Sequence, residues 1–408
     1  PVVLAIAAFA SLAGAVAGRD RRWHLTVLAL AIGSVGLIVA LGAVLRIEQR
    51  VGASIPRSFF LWAALPVFAI AVTVAGWPRA RWRRRGLCLA SIVLITLFGA
   101  NEINVHYAYL PTLGDAVGMP MRGQVSAASL VAVQRFNAED HPSALVPLLI
   151  PGTISHFHPR TGYVWLPPAY FDLDHPELPV VMILAGVPGN PSDMIRAGRA
   201  DEVASAYAHA HDGVAPILVF PDDNGGFTHD TECVDGPRGN AETYLTVDVP
   251  RAIERRFGTP SDARHWAVIG YSEGGTCALT LALAHPDKFS SFVDIAGDLR
   301  PTAARTPHRT IMRLFGGRRS QWYRHDPLTL LRLPALRHAT GWIVAGSGDL
   351  RANLAAHTLV DVARQSGVDV QIVSVPGAHS FSVVVRALQL ELPRVADMLL
   401  AASPGRAT

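Results

Sequence analysis

The chain has 408 residues, 50% of them hydrophobic and only 17% charged, with mean hydropathy +0.28 and a formal net charge of +4. Soluble globular chains carry nearer a quarter charged residues, so the composition argues against a purely cytosolic protein, and the apolar content excludes intrinsic disorder. A sequence pI near 9.2 would suggest a nucleic-acid partner, but the charge is not spread evenly: residues 1–100 hold 11 Arg against Asp20 and Glu48, a net of +9, while the other 308 residues hold 25 basic and 30 acidic groups, a net of −5. Basicity thus belongs to the first quarter alone, and nucleic acid is not an expected partner. Lysine occurs once (Lys288) against 35 Arg, which we read as base composition rather than function.

Four uncharged apolar stretches occupy 1–18, 25–45, 59–77 and 86–100. A helix crossing the hydrocarbon needs roughly 17–25 apolar residues, which the middle two satisfy. The chain opens on Pro1 without an initiator methionine, so a segment is expected to precede the first stretch. The fourth is short, and 101–107 can carry it into the headgroup region. Buried core helices or a signal peptide are the alternatives, disfavoured by four segments spaced 6–13 residues apart. Arginine distribution orients them. Loop 19–24 holds Arg19, Arg21 and Arg22, and loop 78–85 holds Arg79, Arg81, Arg83, Arg84 and Arg85, whereas 46–58 dilutes three Arg with Glu48 over a longer span. Placing the dense clusters in the cytoplasm puts everything after residue 100 outside, and the juxtamembrane run Arg81–Arg85 is then a topology and anionic-lipid signal.

Cys88 lies in the fourth apolar stretch and is expected to be inert. Cys233 and Cys277 lie outside, where a disulfide is permitted; two free buried cysteines are the alternative. No C-x-x-C or Cys/His spacing suggests zinc, and His156-Phe157-His158 reads as a pair of loop histidines without a partner cluster, so no metal is expected.

The expected organisation is a transmembrane helical domain over 1–107, a connecting segment over 108–145, a catalytic domain over 146–402 and a tail over 403–408. Within the connection, 126–136 has helical spacing through Leu130, Val133 and Phe136. From 146 the pattern changes. Strands are expected at 146–150, 163–166, 179–184, 215–220, 266–269, 291–295, 340–345 and 370–375, and helices at 201–211, 242–257, 274–285, 353–365 and 383–401. Their alternation implies an α/β fold, a mostly parallel sheet with helices on both faces.

The strand at 266–269 runs into Gly270-Tyr271-Ser272-Glu273-Gly274-Gly275 and then an apolar helix. This is G-x-S-x-G in the strand–turn–helix setting that exposes a nucleophilic serine on a strained turn, with the positive end of the helix aimed at a developing oxyanion. Ser272 is the expected nucleophile. A serine needs a base, and the base an orienting acid, which in this fold follow in the order Ser, acid, His on loops after later strands. The strand at 340–345 ends in Gly346-Ser347-Gly348-Asp349, and the strand at 370–375 ends in Pro376-Gly377-Ala378-His379-Ser380-Phe381. Asp349 and His379 are the expected partners; Asp361 and Asp369 are rivals for the acid, one mid-helix and the other ahead of a strand. The oxyanion hole should combine the Glu273 amide with one from Leu184-Ala185-Gly186-Val187-Pro188-Gly189-Asn190. Pro188 has no N–H, leaving Val187, with Gly186 next. The stretch 222–242 is acidic (Asp222, Asp223, Asp230, Glu232, Asp235, Glu242), and Glu273 adds to it. A solvated loop is one reading; a negatively lined entrance suited to a cationic substrate group is the other, and for it Asp222, Asp223, Asp230, Glu232 and Glu242 are the candidate substrate-binding residues.

At these residues the chain resembles the α/β-hydrolase esterase family that includes esterase D-like enzymes and the antigen 85 mycolyltransferases. Ala241-Glu242-Thr243-Tyr244-Leu245-Thr246-Val247-Asp248-Val249-Pro250 is similar to that family's W-E-T-F-L-T-x-E-L-P. The elbow with its helix, ending in the His285 to Phe289 form of H-P-x-x-F, and Gly377-Ala378-His379-Ser380-Phe381 against G-x-H-S-W are similar as well. The resemblance implies an α/β-hydrolase fold and a Ser–acid–His triad. It departs where the mycolyltransferases carry L-D-G-L-R in the oxyanion loop, since Ala185 and Pro188 stand at the charged positions and Val384 stands for a second Trp. The resulting expectation is a multi-pass membrane protein with an extracytoplasmic serine ester hydrolase domain, needing no cofactor. Its substrate would be an ester of a cell-envelope lipid, such as an aminoacyl-phospholipid (alanyl- or lysyl-phosphatidylglycerol). An acyltransferase using the same triad and a catalytically silent membrane scaffold are the competing readings.

Overall fold

A computed structural model describes residues 2–17, 20–47, 57–126, 143–172, 177–304, 306–333 and 339–402. The chain divides into two compact units, 1–108 and 109–408.

The first unit contains helices α1 (Val2–Val16), α2 (Arg21–Ile47), α3 (Arg57–Gly76) and α4 (Trp82–Tyr107). Three spans, Arg21–Ala43, Ser58–Arg79 and Trp82–Tyr107, are long and apolar enough to cross a membrane; α1, at 15 residues, is shorter than the expected first span. The fourth span is longer than its apolar stretch because the helix begins at Trp82, taking in Arg83–Arg85, and runs on through Asn101–Tyr107. Ala8, Leu12, Ala69, Ile95 and Phe98 form the inner core, with Phe98 meeting Phe9 and Trp62 edge-on at 5.6 and 5.4 Å. Hydroxyls bond back into their own helices, Ser34 to Leu30 O, Thr73 to Ala69 O and Thr96 to Ile92 O, so these three donors need no water. That is the condition an apolar solvent imposes. Leu25, Leu28, Ile32 and Leu37 of α2 remain outward and exposed.

The second unit is built on an eight-stranded sheet. Its strands are β1 (Ala144–Leu148), β2 (Gly162–Leu166), β3 (Val180–Leu184), β4 (Ile217–Phe220), β5 (Trp266–Tyr271), β6 (Ser291–Ile295), β7 (Thr340–Gly346) and β8 (Asp369–Val375), in spatial order β1-β2-β4-β3-β5-β6-β7-β8. All neighbours from β4 to β8 are parallel; β1–β2 and β2–β4 are antiparallel. The expected, mostly parallel sheet is present: six strands run parallel, and two antiparallel strands close one side. Pro147 explains why β1 lies at the edge, where a strand tolerates the loss of an N–H. Strands β3, β4, β5 and β6 are buried along their whole length, as continuous apolar runs require between two helical layers.

Helices α5 (Ala200–Ala210), α6 (Val249–Phe257), α7 (Glu273–Ala284), α8 (Pro307–Phe315), α9 (Arg319–Arg324), α10 (Leu350–Ser366) and α11 (Phe381–Ala401) complete the unit as used below. Sequence periodicity did not anticipate α8 and α9, an excursion between β6 and β7. Their signals are local: Thr306 accepts from the Arg309 N–H, Pro307 occupies the first turn, and Gly316 closes α8 in the left-handed region. The expected helix at 126–136 falls outside the described residues save for Ser126, while 109–126 belongs to the second unit.

Candidate active site

Ser272, Asp349 and His379 follow the carboxyl ends of β5, β7 and β8, the edge where parallel α/β sheets present their reactive groups. The turn around Ser272 is built by exclusion of side chains. A Cβ on Gly270 would lie 1.8 Å from Gly274 O, and one on Gly274 would lie 2.1 Å from Ala185 O. With those positions cleared, Ser272 is held at φ 58°, ψ −118°, a conformation a non-glycine residue adopts only under constraint, and its N–H donates to Ile295 O at 2.8 Å.

Ser272 Oγ lies 2.9 Å from His379 Nε2, and His379 Nδ1 lies 2.7 Å from Asp349 Oδ2. The other Asp349 oxygen accepts from the Ala352 N–H at 3.2 Å, capping α10. Burial alone would raise the Asp349 carboxyl, but the His379 hydrogen bond, the Ala352 amide and the His379 charge outweigh it and hold the group below the usual carboxylate range. Tyr271 stacks on the His379 ring at 5.1 Å. The rival acids are elsewhere, Asp361 paired with Arg364 on an exposed face and Asp369 exposed at the start of β8.

Gly186 abuts Ser272, since a Cβ there would meet Ser272 Cβ at 3.0 Å. Glu273, directly after Ser272, opens α7. The far end of the Gly186–Asn190 loop is tied down by residues the sequence did not single out. Arg160 Nη1 donates to Gly189 O (3.0 Å) and Asn190 Oδ1 (2.8 Å). Asp193 accepts the Asn190 N–H at 2.8 Å and the Tyr109 hydroxyl at 3.0 Å on each oxygen. Tyr109 in turn packs on Phe381, the residue two after His379 in sequence, at 5.7 Å between ring centroids.

The acidic stretch is not a solvent-facing lining. Asp222, Asp223 and Glu232 are 0%, 1% and 3% exposed. Asp222 is spent on Arg160, through Nη2 at 2.6 Å, Nε at 3.0 Å and the backbone N–H at 2.6 Å. Glu242 lies between His285 Nε2 (2.8 Å) and His325 Nε2 (2.9 Å), far more a clamp than an entrance. Burial pushes up the carboxyls of Asp223, Glu232 and Glu273, and Asp230 to about 6, each reinforced or only partly offset by its charged neighbours. Asn224 donates to Glu273 Oε2 at 3.1 Å, and Glu232 Oε1 accepts from the Thr302 N–H at 2.8 Å, while Asp223 Oδ2 and Glu232 Oε2 have no partner. Cys233 and Cys277 are disulfide-bonded, joining this stretch to α7, the helix that follows Ser272. A further carboxylate, Asp298, sits after β6 with its N–H on Thr276 Oγ1 (2.8 Å) and its Oδ2 on Arg351 Nη2 (2.5 Å).

The profile of the family described as "Putative esterase" matches residues 156–383. The chain belongs to that esterase family. Among its relatives, an uncharacterized protein of Corynebacterium glutamicum is 33% identical over 80% of this chain and 79% of its own length. An S-formylglutathione hydrolase of Paracoccus denitrificans is 26% identical over 43% of this chain and 64% of that enzyme. Of solved structures, a ferulic acid esterase superposes with a TM-score of 0.55 at 20% identity, covering 64% of this chain and all of that one (100%). A fluorophosphonate-binding serine hydrolase of Staphylococcus aureus superposes with a TM-score of 0.52 at 18% identity, covering 62% of this chain and 99% of that one. The fold is that of the α/β-hydrolases, and the family is one of ester-cleaving enzymes.

Proposed function

We propose that this esterase is held in the membrane by its N-terminal helices and cleaves an ester of a membrane lipid on the extracytoplasmic side through an acyl-enzyme. The single observation that carries the chemistry is the continuous relay from Asp349 through His379 to Ser272 Oγ, at 2.7 and 2.9 Å. In this reading His379 Nε2 takes the Ser272 proton as Oγ attacks the ester carbonyl, and Asp349 holds the imidazole with Nδ1–H toward itself and stabilises the imidazolium. The amides of Glu273 and Val187 receive the oxyanion, and the proton passes from His379 to the leaving alcohol. Water then enters, His379 deprotonates it, and the acyl-Ser272 bond breaks to release the carboxylic acid.

Three spans of membrane-crossing length support the lipid location, and the arginine-dense loops at 19–24 and 78–85 support the outward orientation of the catalytic unit. The finer substrate reading, an aminoacyl ester such as alanyl- or lysyl-phosphatidylglycerol, rests on the membrane location alone, because Asp223 and Glu232 are buried and do not line an acidic entrance. Asp222 and Glu242 are committed to Arg160 and to two histidines and take no part in it. The test compares membrane lipid extracts from cells carrying the wild type and Ser272→Ala. Accumulation of one aminoacylated lipid in the variant supports the reading; identical profiles, or transfer of the acyl group to an added alcohol in place of its release as free acid, overturn it.

A further inference from the structure

We infer that the helical excursion between β6 and β7 is a docking surface for anionic phospholipid headgroups. The inference rests on the membrane tethering proposed above but not on the chemistry assigned to Ser272. Residues 299–333 contain eight Arg and one acid, Asp326, a net of +7 by subtraction, within a part of the chain (101–408) whose net is −5. Asp326 is buried and faces Arg300 at 3.5 Å, so it does not offset the surface.

Folding sorts these residues by face. Ile311, Leu314, Phe315 and Trp322 turn inward onto Val234, and His325 reaches Glu242, so the inner side of the excursion is fully used. The outer side presents Arg309, Arg313, Arg318, Arg319 and Arg324, all exposed. Among the described residues, Arg309, Arg319 and Arg324 have no carboxylate within ion-pair distance. Between them project Met312 and Tyr323, 52% and 53% exposed. Ordinary solvated faces mix both signs of charge. A single-sign arginine surface with interspersed apolar and aromatic tips matches instead the boundary between phosphate headgroups and acyl chains, where guanidinium forks bind phosphate oxygens and the apolar tips enter the hydrocarbon margin. A chain carrying three membrane-length helices keeps this surface close to a bilayer, which favours lipid over a soluble polyanion. The excursion also leaves the sheet from the end of β6, the same edge that carries Ser272, so docking there would bring the reactive edge to the source of lipid esters.

The test places the full chain in nanodiscs of phosphatidylcholine alone or of phosphatidylcholine with phosphatidylglycerol and follows amide hydrogen exchange over 306–324. Slower exchange is expected only with phosphatidylglycerol. It should vanish in about 1 M salt, where the screening length falls to roughly 3 Å, and in the triple variant Arg309→Gln/Arg319→Gln/Arg324→Gln. Each arginine is expected to weaken the association roughly fivefold. An unchanged thermal midpoint shows that the triple variant is folded; should it not fold, the wild-type lipid and salt comparisons decide. Equal exchange in both discs, or equal protection by a soluble oligonucleotide without phosphatidylglycerol, overturns the inference. Failure of Ser272 to react with a fluorophosphonate would count against the esterase mechanism and leave this readout untouched.

Discussion

His379 Nε2 lies 2.9 Å from Ser272 Oγ, although 107 positions separate the two residues along the chain. The parallel sheet closes that distance by bringing the carboxyl ends of β5 and β8 to one edge, with β6 and β7 between them.

The first prediction concerns this contact. Ser272→Ala should abolish covalent labelling by a fluorophosphonate and lower kcat for ester hydrolysis about a millionfold. Asp349→Asn, which keeps the shape but favours the wrong imidazole tautomer, should cost about 10⁴-fold. Labelling that survives Ser272→Ala, or an Asp349→Asn enzyme of wild-type rate, would move the nucleophile or the acid elsewhere.

A second prediction follows from the Tyr109 hydroxyl on Asp193. Removing that donor leaves a buried carboxylate short of a partner at the far end of the Gly186–Asn190 loop, which loosens the loop where it abuts Ser272. Tyr109→Phe should lower kcat by about 10- to 100-fold, the order of effect expected from a small misplacement near the reacting atoms, with KM little changed. Steady-state kinetics on a soluble short-chain ester would separate the two parameters; a change confined to KM would contradict a positioning role.

The disulfide supplies a third. Cys233 and Cys277 are 44 residues apart, and their bond ties the acidic stretch to α7. Cys233→Ser/Cys277→Ser should destabilise the catalytic unit by about 2–4 kcal/mol. The check is the temperature at which fluorophosphonate labelling is lost, with and without reductant; reductant should lower it for the wild type and leave the variant unmoved.

Glu242 gives a prediction in pH. Burial alone would raise its carboxyl, but hydrogen bonds from His285 and His325 hold it at about 2, while His325 is raised by Glu242 against the effect of its own burial. A depressed acid contributes stability above its ordinary value of 4.5 and loses it as pH falls toward 2. A raised histidine contributes fully below 6.5 and loses its contribution as pH rises through its folded value. The stability gap between wild type and Glu242→Gln should therefore be widest at about pH 4.5–6.5, on the order of 2–3 kcal/mol, and narrow on both sides. Thermal midpoints across pH 3–9 (about) test this; a gap that does not vary with pH would show that the clamp is not ionic.

Much of this protein was legible in local chemistry. The apolar stretches, the eight β-segments and the glycines around Ser272 are short-range features, each imposed by the nearest few residues: hydrocarbon length, sheet burial, and the need for bare backbone at Gly270 and Gly274. That Asp349 and His379 would stand at strand ends was legible as well, because each follows a strand with a Gly-containing turn; their approach to Ser272 came from the sheet. The tertiary structure alone decided what charge does. Adjacent acids that look alike in sequence acquire different fates once folded: Asp222 on Arg160, Glu242 between two histidines, Asp223 and Glu232 buried with an oxygen unpartnered. It also drew Tyr109, Arg160 and Asp193 onto the one loop that abuts Ser272. The reason is physical. A backbone conformation is set by neighbours along the chain, whereas the energy of a charge depends on burial and on partners across space, and those exist only after the sheet has closed.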